Sequence, residues 1–274
     1  MLKHFTALKE DSIDSIAIGN FDGLHLGHKQ LIDRLSPNGA LLVIDAGRAN
    51  LTPNKNRSRY VDYPCFYIKF EEIKELDCIG FIKFLMSKFP NLNKIIVGYD
   101  FKFGVNRSCN LVDLKKYFKG KIDVVEEFFI VNTSVHSSTI RTLLKNANVK
   151  KANILLGRNY CVDGVVIKGQ GLGKKELVPT LNIDTKNYLL PKDGVYKTKT
   201  KINEKFYPSV TFIGIRQSTD GKYSCESHVI NEDVKNVINT TICFLDFTRE
   251  NKKFENLSEL KLQISEDIKK AWVQ

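Results

Sequence analysis

Ile16-Ala17-Ile18-Gly19-Asn20-Phe21-Asp22-Gly23-Leu24-His25-Leu26-Gly27-His28-Lys29-Gln30-Leu31 is the stretch from which the fold can be read. Its apolar start, Ile16 to Ile18, predicts a buried strand. A turn rich in Gly, Asn and Asp follows, and then Leu31, Ile32 and Leu35 fall at helical spacing. His25 and His28 lie at the helix entrance, three residues apart, where they can share one face. A helix start offers free N–H groups and the positive end of its dipole to an anion. The two imidazoles could donate to phosphate oxygens there and stabilise the charge on a departing pyrophosphate. Gly27 would let a ligand approach the backbone. The plainer alternative is that both histidines cap and pack the helix start.

Composition limits what this stretch can belong to. With 274 residues the chain can form one large or two ordinary domains, and its apolar and charged fractions are those of a soluble globular protein. No apolar run approaches the roughly 20 residues of a membrane helix, and residues 1–6 lack a signal-peptide pattern. The six cysteines, at 65, 78, 109, 161, 225 and 243, show no C-x-x-C or metal-ligand clustering. They are expected to be reduced, mostly buried thiols of a cytoplasmic protein. The net charge of +11 is compatible with nucleic acid or with small anionic substrates. The lysines are spread along the chain in short clusters, without a basic tail or an RNA-binding aromatic motif, so a lysine-rich composition explains the charge.

Outward from the opening stretch, residues 40–45 and 94–99 read as further strands. Residues 48–59 read as a polar loop, and 71–89 as an amphipathic helix closed by Pro90. Residues 111–118 read as a helix, with 122–125 and 129–131 strand-like. This alternation predicts a parallel sheet with helices on its faces, whose ligand lies at the carboxyl ends of the strands. Ser134-Val135-His136-Ser137-Ser138-Thr139-Ile140-Arg141 opens a further helix. Its hydroxyls are ordinary N-caps, or together with Arg141 they bind a triphosphate. After a short helix ending at Gly157 the period changes. Strand-like segments at 160–168, 194–200, 206–213, 223–230 and 240–247, separated by turn signals, predict a small antiparallel barrel. A terminal helix follows from Asn256 onward. The expected boundary leaves domains of 1–155 and 156–274.

Gly169-Gln170-Gly171-Leu172-Gly173-Lys174 leaves the first of these later strands. It could turn backbone N–H groups onto phosphates, or it could be a glycine-rich hairpin. Thr180 and Asn182, at i and i+2 of a strand, place two hard oxygens on one face, which suits Mg²⁺ on a nucleotide.

The motifs are similar to those of a known family. Gly-Asn-Phe-Asp-Gly-x-His-x-Gly-His, from Gly19 to His28, resembles the H-x-G-H signature of nucleotidyltransferases. It resembles in particular that of the bifunctional riboflavin kinase/FMN adenylyltransferases, the prokaryotic FAD synthetases. The resemblance implies that Gly19, Asn20, Phe21, Asp22, Gly27, Ser137, Ser138 and Arg141 bind ATP, with His25, His28 and Arg141 catalytic. It also implies that the segment from Gly98 to Asn106, with Asp100, Phe101, Phe103 and Asn106, helps form the nucleotide and flavin site; an aromatic loop covering the sheet edge is the alternative for its two phenylalanines. Two registers of the Ser-Ser-Thr motif fit. Pro179-Thr180-Leu181-Asn182 resembles the Pro-Thr-Ala-Asn motif of riboflavin kinases, and Glu226-Ser227-His228 a segment whose Glu is the base for the riboflavin 5′-hydroxyl.

The implied fold is an α/β nucleotidyltransferase (HxGH) parallel-sheet domain followed by a small antiparallel β-barrel riboflavin kinase domain with a C-terminal helix. Implied substrates and products are riboflavin, FMN, FAD and ATP, with Mg²⁺, no membrane and no nucleic acid; a homo-oligomer stays open. Alternatives are an adenylyltransferase whose barrel only binds flavin, or a basic RNA-binding or regulatory protein. One departure is sharp: where the family has Thr-Phe-x-Pro-His-Pro, this chain has Val43-Ile44-Asp45-Ala46-Gly47-Arg48, so the role of that His is absent or supplied otherwise, for instance by Arg48.

Overall fold

The computed structural model describes residues 10–272 apart from 169–177, 217, 219, 220, 233 and 235. The chain divides into two compact units, Met1–Ser137 and Ser138–Gln274.

The first unit is built on a five-stranded sheet: β1 (Ser15–Gly19), β2 (Gly39–Asp45), β3 (Cys65–Lys69), β4 (Lys94–Gly98) and β5 (Lys121–Val125), in the order β3-β2-β1-β4-β5. Every adjacent pair is parallel. Successive residues of the central strands point to opposite faces, and both faces are covered. Ile16, Ile18, Leu42 and Val97 pack into a core with Phe81, Leu85 and Phe89. Ala17, Leu41, Val43 and Ile96 pack into another with Leu31 and Leu35. This two-sided burial is why β1 and β2 read as continuous apolar runs rather than alternating ones. The chain steps outward from β1 to β3, then returns to β4 on the other side of β1. The sheet therefore has its switch point at the carboxyl end of β1.

The helices are α1 (Leu26–Ile32), α2 (Phe70–Ile73), α3 (Cys78–Lys88) and α4 (Leu111–Tyr117). The single helix expected over 71–89 is broken in two. Asp77 caps a new start, its Oδ1 accepting from the Gly80 N–H at 2.6 Å. The strand β3, absent from the sequence reading, runs directly into α2. A short hairpin, β6 (Phe129–Ile130) with β7 (Thr133–Ser134), precedes α5 (Ser137–Lys145).

In the second unit α6 (Val149–Leu156) leads into β8 (Tyr160–Ile167), β9 (Leu181–Asp184), β10 (Gly194–Ile202), β11 (Lys205–Ile215), β12 (Tyr223–Val229) and β13 (Asn239–Arg249). These close a barrel in the order β10-β11-β12-β9-β8-β13, every pair antiparallel. The terminal helix α7 (Leu257–Trp272) lays Ile268, Ala271 and Trp272 against Val195, Val210 and Phe212. It is fastened by a two-pronged ion pair from Arg249 Nε and Nη2 to the Asp267 carboxylate, at 2.8 and 2.7 Å. Inside the barrel, Thr198, Ser209, Thr200, Ser227 and Thr211, all fully buried, form a closed ring of hydroxyl hydrogen bonds of 2.7–3.1 Å.

The unit division falls before the expected boundary near 156 because α5 and α6 are tied to the barrel. The Lys192 N–H donates to Leu144 O at 3.0 Å, and Asn153 bonds the backbone of Tyr160 and Phe244 at 2.7 and 2.9 Å.

The cysteines require a correction. Cys78–Cys109 and Cys161–Cys243 are disulfides; among the described residues only Cys65 and Cys225 are free thiols. The partners lie 31 and 82 residues apart. Folding brings them together: Cys161 and Cys243 face one another across the β8–β13 ladder, and the other bridge joins the start of α3 to Cys109. Local spacing carries no trace of either pairing.

Candidate functional sites

In the first unit the sheet's switch point opens onto residues 20–28. Phe21, Gly23 and Leu24 all have positive φ (55°, 86° and 38°). Two non-glycine residues in that region mark a turn whose shape is imposed by its surroundings. Asp22 imposes it. Its buried carboxylate accepts from the N–H groups of Asn50, Leu51 and Thr52 at 3.1, 3.1 and 2.8 Å. Thr52 Oγ1 in turn accepts from the Gly23 N–H at 2.7 Å. Asp22, expected among the ATP ligands, thus spends its carboxylate on the 50–52 loop. Its backbone O accepts from the Ser137 hydroxyl at 2.7 Å, which draws the start of α5 to the same turn.

His25 is the N-cap of α1, its Nδ1 accepting from the His28 N–H at 3.2 Å. A neutral His25 ring therefore carries its proton on Nε2, as a donor. The two imidazoles stack with centroids 3.6 Å apart, and Phe21 meets the His28 ring edge-on at 5.1 Å. At Gly27 a Cβ would lie 2.8 Å from Val135 O and 3.1 Å from His25 Nδ1. The glycine is required for the packing of α1 as much as for ligand approach. Gly19 ends β1 against the Phe21 ring, and the exposed Asn20 donates to Ile44 O at 3.1 Å.

Other expected residues are placed as follows. Phe103 is buried in the core against Phe81, stacked with Phe101 at 5.6 Å. Asp100 and Asn106 are exposed, on the loop whose end the Cys78–Cys109 bridge holds. Ser138 and Arg141 belong to the second unit. Arg48 is exposed, whereas Arg57, which the sequence reading passed over, is wholly buried. Its Nη1 donates to Asn54 O at 3.0 Å, its Nη2 lies 3.9 Å from Asp45, and its guanidinium sits over the Tyr67 ring. Beyond β5, Glu127 accepts from the Ser134 hydroxyl at 2.5 Å and pairs with His136 at 3.2 Å. The Ser134 hydrogen bond, ahead of His136, holds this carboxyl below the usual carboxylate range.

In the second unit Glu226 of β12 is in register with Asn182 of β9. Thr180 donates to Glu226 Oε2 at 3.4 Å, so three residues anticipated from two motifs meet at one place. Arg216, at the end of β11, joins them. Its Nη1 donates to Glu226 Oε1 at 2.9 Å and to Asn182 Oδ1 at 3.3 Å. Cys225, fully enclosed beside this cluster, has its thiol pushed up to about 12, first by burial and then by the Glu226 charge. Gly169, Gly171, Gly173 and Lys174 lie outside the described residues. No group of three or more His, Cys, Asp or Glu capable of holding a metal occurs among the described residues. None of their helices is long and apolar enough to cross a membrane.

Comparison with known proteins places the chain in a family. A riboflavin kinase family model matches residues 156–273, and an FAD synthetase family model matches residues 8–42. The chain is 30% identical to a bifunctional riboflavin kinase/FMN adenylyltransferase of Buchnera aphidicola, over 95% of this chain and 93% of that one. It is 28% identical to that of Escherichia coli over 92% and 90% of the two chains, and 27% identical to that of Bacillus subtilis over 96% and 93%. A crystal structure described as a macrolide-efflux protein from Streptococcus pneumoniae shares the fold, with a TM-score of 0.84 and 23% identity over 94% of each chain.

Proposed function

Because the chain belongs to the bifunctional riboflavin kinase/FMN adenylyltransferase family, and so phosphorylates riboflavin to FMN and adenylylates FMN to FAD, we propose that the two clusters described above perform these steps. The His25–His28 turn serves adenylyl transfer, and the Thr180–Asn182–Glu226 cluster serves phosphorylation.

In adenylyl transfer an FMN phosphate oxygen attacks the α-phosphorus of ATP and pyrophosphate leaves. There is no covalent enzyme chemistry to perform, so positioning and charge stabilisation carry the rate. His25 offers an Nε2–H donor in a fixed orientation, set by its bond to the His28 N–H. The stacked His28 ring sits beside it at the positive end of α1, where the negative charge of the leaving group is stabilised. Ser137 and Asn20 border the same turn.

In the kinase, Glu226 takes the proton of the riboflavin 5′-hydroxyl as its oxygen attacks the γ-phosphorus. Asn182 Oδ1 and Thr180 Oγ1 are hard neutral oxygens beside a carboxylate, a donor set that fits Mg²⁺ held mainly by nucleotide phosphates and water. When bound, the ion neutralises charge on the transferring phosphoryl group. We place the enzyme in the cytoplasm, where ATP and flavin are handled.

The observation that carries this reading is the pairing of Asn182 with Glu226 on adjacent strands, with Thr180 just ahead of β9 bonded to Glu226. The test is a crossed assay with riboflavin, or FMN, plus ATP and Mg²⁺. His28→Ala should still make FMN but no FAD. Glu226→Gln should lower FMN formation by about 10²–10⁴-fold while FMN supplied directly still becomes FAD. Two variants that impaired both steps equally would refute the division.

A further inference from the structure

Arg216 has no part in the reaction as described, yet it occupies the centre of the kinase cluster. One nitrogen, Nη1, bonds both the proposed base and the proposed cation ligand: Glu226 Oε1 at 2.9 Å and Asn182 Oδ1 at 3.3 Å. The other Glu226 oxygen already accepts from Thr180. Both carboxylate oxygens therefore accept from protein donors, and Arg216 competes with a substrate hydroxyl for the Oε1 side of the base. The guanidinium also lies on the oxygen that a bound cation would use.

Its backbone is fixed. The Arg216 N–H donates to Lys222 O, and its carbonyl accepts from the Gly221 N–H, at 3.0 and 3.1 Å. Its side chain is about one-sixth exposed, at 17%, so the guanidinium has a path toward solvent. A triphosphate brings several negative charges to a place where Glu226 would repel them. The permanent cation in direct contact with Glu226 is Arg216. A planar guanidinium can bind a phosphate through two N–H groups at once.

We propose that Arg216 is a phosphate-binding residue that exchanges partners, leaving Glu226 and Asn182 for the γ-phosphate of ATP and thereby freeing the base. The inference rests on the assignment of Glu226 as base. With Arg216 on the γ-phosphate, the hydroxyl proton passes to Glu226 Oε1. The hydroxyl oxygen forms its bond to the γ-phosphorus, and the bond from phosphorus to the bridging oxygen breaks with its electron pair remaining on ADP. The guanidinium neutralises charge on the group in transit. Nucleotide binding thus arms the base, and riboflavin alone leaves it engaged.

The test is calorimetric titration of the full-length protein with ADP and with a non-hydrolysable ATP analogue, both with Mg²⁺, alongside steady-state kinetics. Arg216→Gln should weaken the analogue about ten-fold or more and leave ADP within about two-fold, because only the analogue carries the γ-phosphate. Its kcat for FMN formation should fall roughly 10³-fold, in the manner of other arginines acting on a transferred phosphoryl group, with little change in the riboflavin KM. Arg216→Lys should recover part of the analogue affinity through its charge, but not the two-pronged contact. Should ADP and the analogue bind Arg216→Gln as they bind the parent, or be weakened equally, Arg216 is only a strut for Glu226 and the proposal fails. Glu226→Gln measured in parallel separates the two claims: if it turns over normally, Glu226 is not the base, and the ADP-against-analogue comparison still reports on Arg216.

Discussion

Replacing Asp22 by Asn changes one atom and should disable the adenylyltransferase turn. The Asp22 carboxylate is 2% exposed and collects N–H groups from three consecutive residues, Asn50 to Thr52, at 2.8–3.1 Å. The amide can keep its oxygen toward Leu51 and Thr52, but its NH₂ must then face the Asn50 N–H. One buried donor pair is left opposed, at about 1–3 kcal/mol, and two charge-assisted bonds become neutral ones at about 0.5–1 kcal/mol each. The sum is roughly 2–5 kcal/mol. In a unit of this size that lowers the melting midpoint by about 6–20 °C. Amide hydrogen exchange gives the sharper readout: protection at residues 50, 51 and 52 should fall while that in β1 and β2 persists. FAD formation should fall with it, because Gly23 hangs from Thr52 and His25 and His28 follow two and five residues later. Riboflavin phosphorylation should be retained. Unchanged exchange at residues 50–52 together with lost FAD formation would refute the structural role and return Asp22 to the ligand set.

Gly27→Ala should gain about 1 kcal/mol of helix propensity and lose more, since the new methyl meets Val135 O at 2.8 Å; a thermal melt should show net destabilisation, and FAD formation should drop before FMN formation does. Glu127 titrates below its ordinary value when folded, chiefly through Ser134, so its contribution to stability is present above the unfolded carboxylate pKa and is lost as pH falls through the folded one. Parent and Glu127→Gln should therefore differ in melting midpoint at neutral pH and converge in acid, and a difference that grew in acid would contradict this. Cys65 and Cys225, pushed by burial to about 11 and about 12, should resist iodoacetamide at pH 8 in the folded protein and react once it is unfolded, as peptide mass mapping would show.

What the sequence disclosed depended on whether a signal was local. The Ile16 strand, the turn and the paired histidines lie within sixteen residues, and the two-face packing of β1 follows from its unbroken apolar run. Thr180 and Asn182 were expected on one face of a strand from local alternation, whereas β9 begins at Leu181 and Thr180 lies just ahead of it. Glu226 could be named only through its resemblance to a family. Arg216 was visible as a residue but not as its partner, since the contact depends on β11, β12 and β9 lying side by side. The same holds for both disulfides, whose cysteines meet only after folding. Phe103 failed in another way: an aromatic residue in a site-like loop proved to be anchored in the core, and composition cannot tell a ring that waits for a ligand from one that packs against Phe81. β3 went unread because it is a short edge strand of which only Ile68 is fully buried.

The hydroxyl ring inside the barrel bears on how this protein can change over generations. Thr198, Ser209, Thr200, Ser227 and Thr211 form a cycle in which each group can donate once and accept once. Exchanging one of them for valine leaves a neighbouring donor and a neighbouring acceptor without partners in a dry interior, while exchanging all five removes every such debt. The fully apolar interior is thus separated from the present one by a ridge of less stable intermediates, so no order of single replacements crosses it cheaply. Descent should therefore carry these five positions as a block. A lineage that loses one hydroxyl should show compensating changes at the two positions beside it in the ring, which are as far as 27 residues away along the chain.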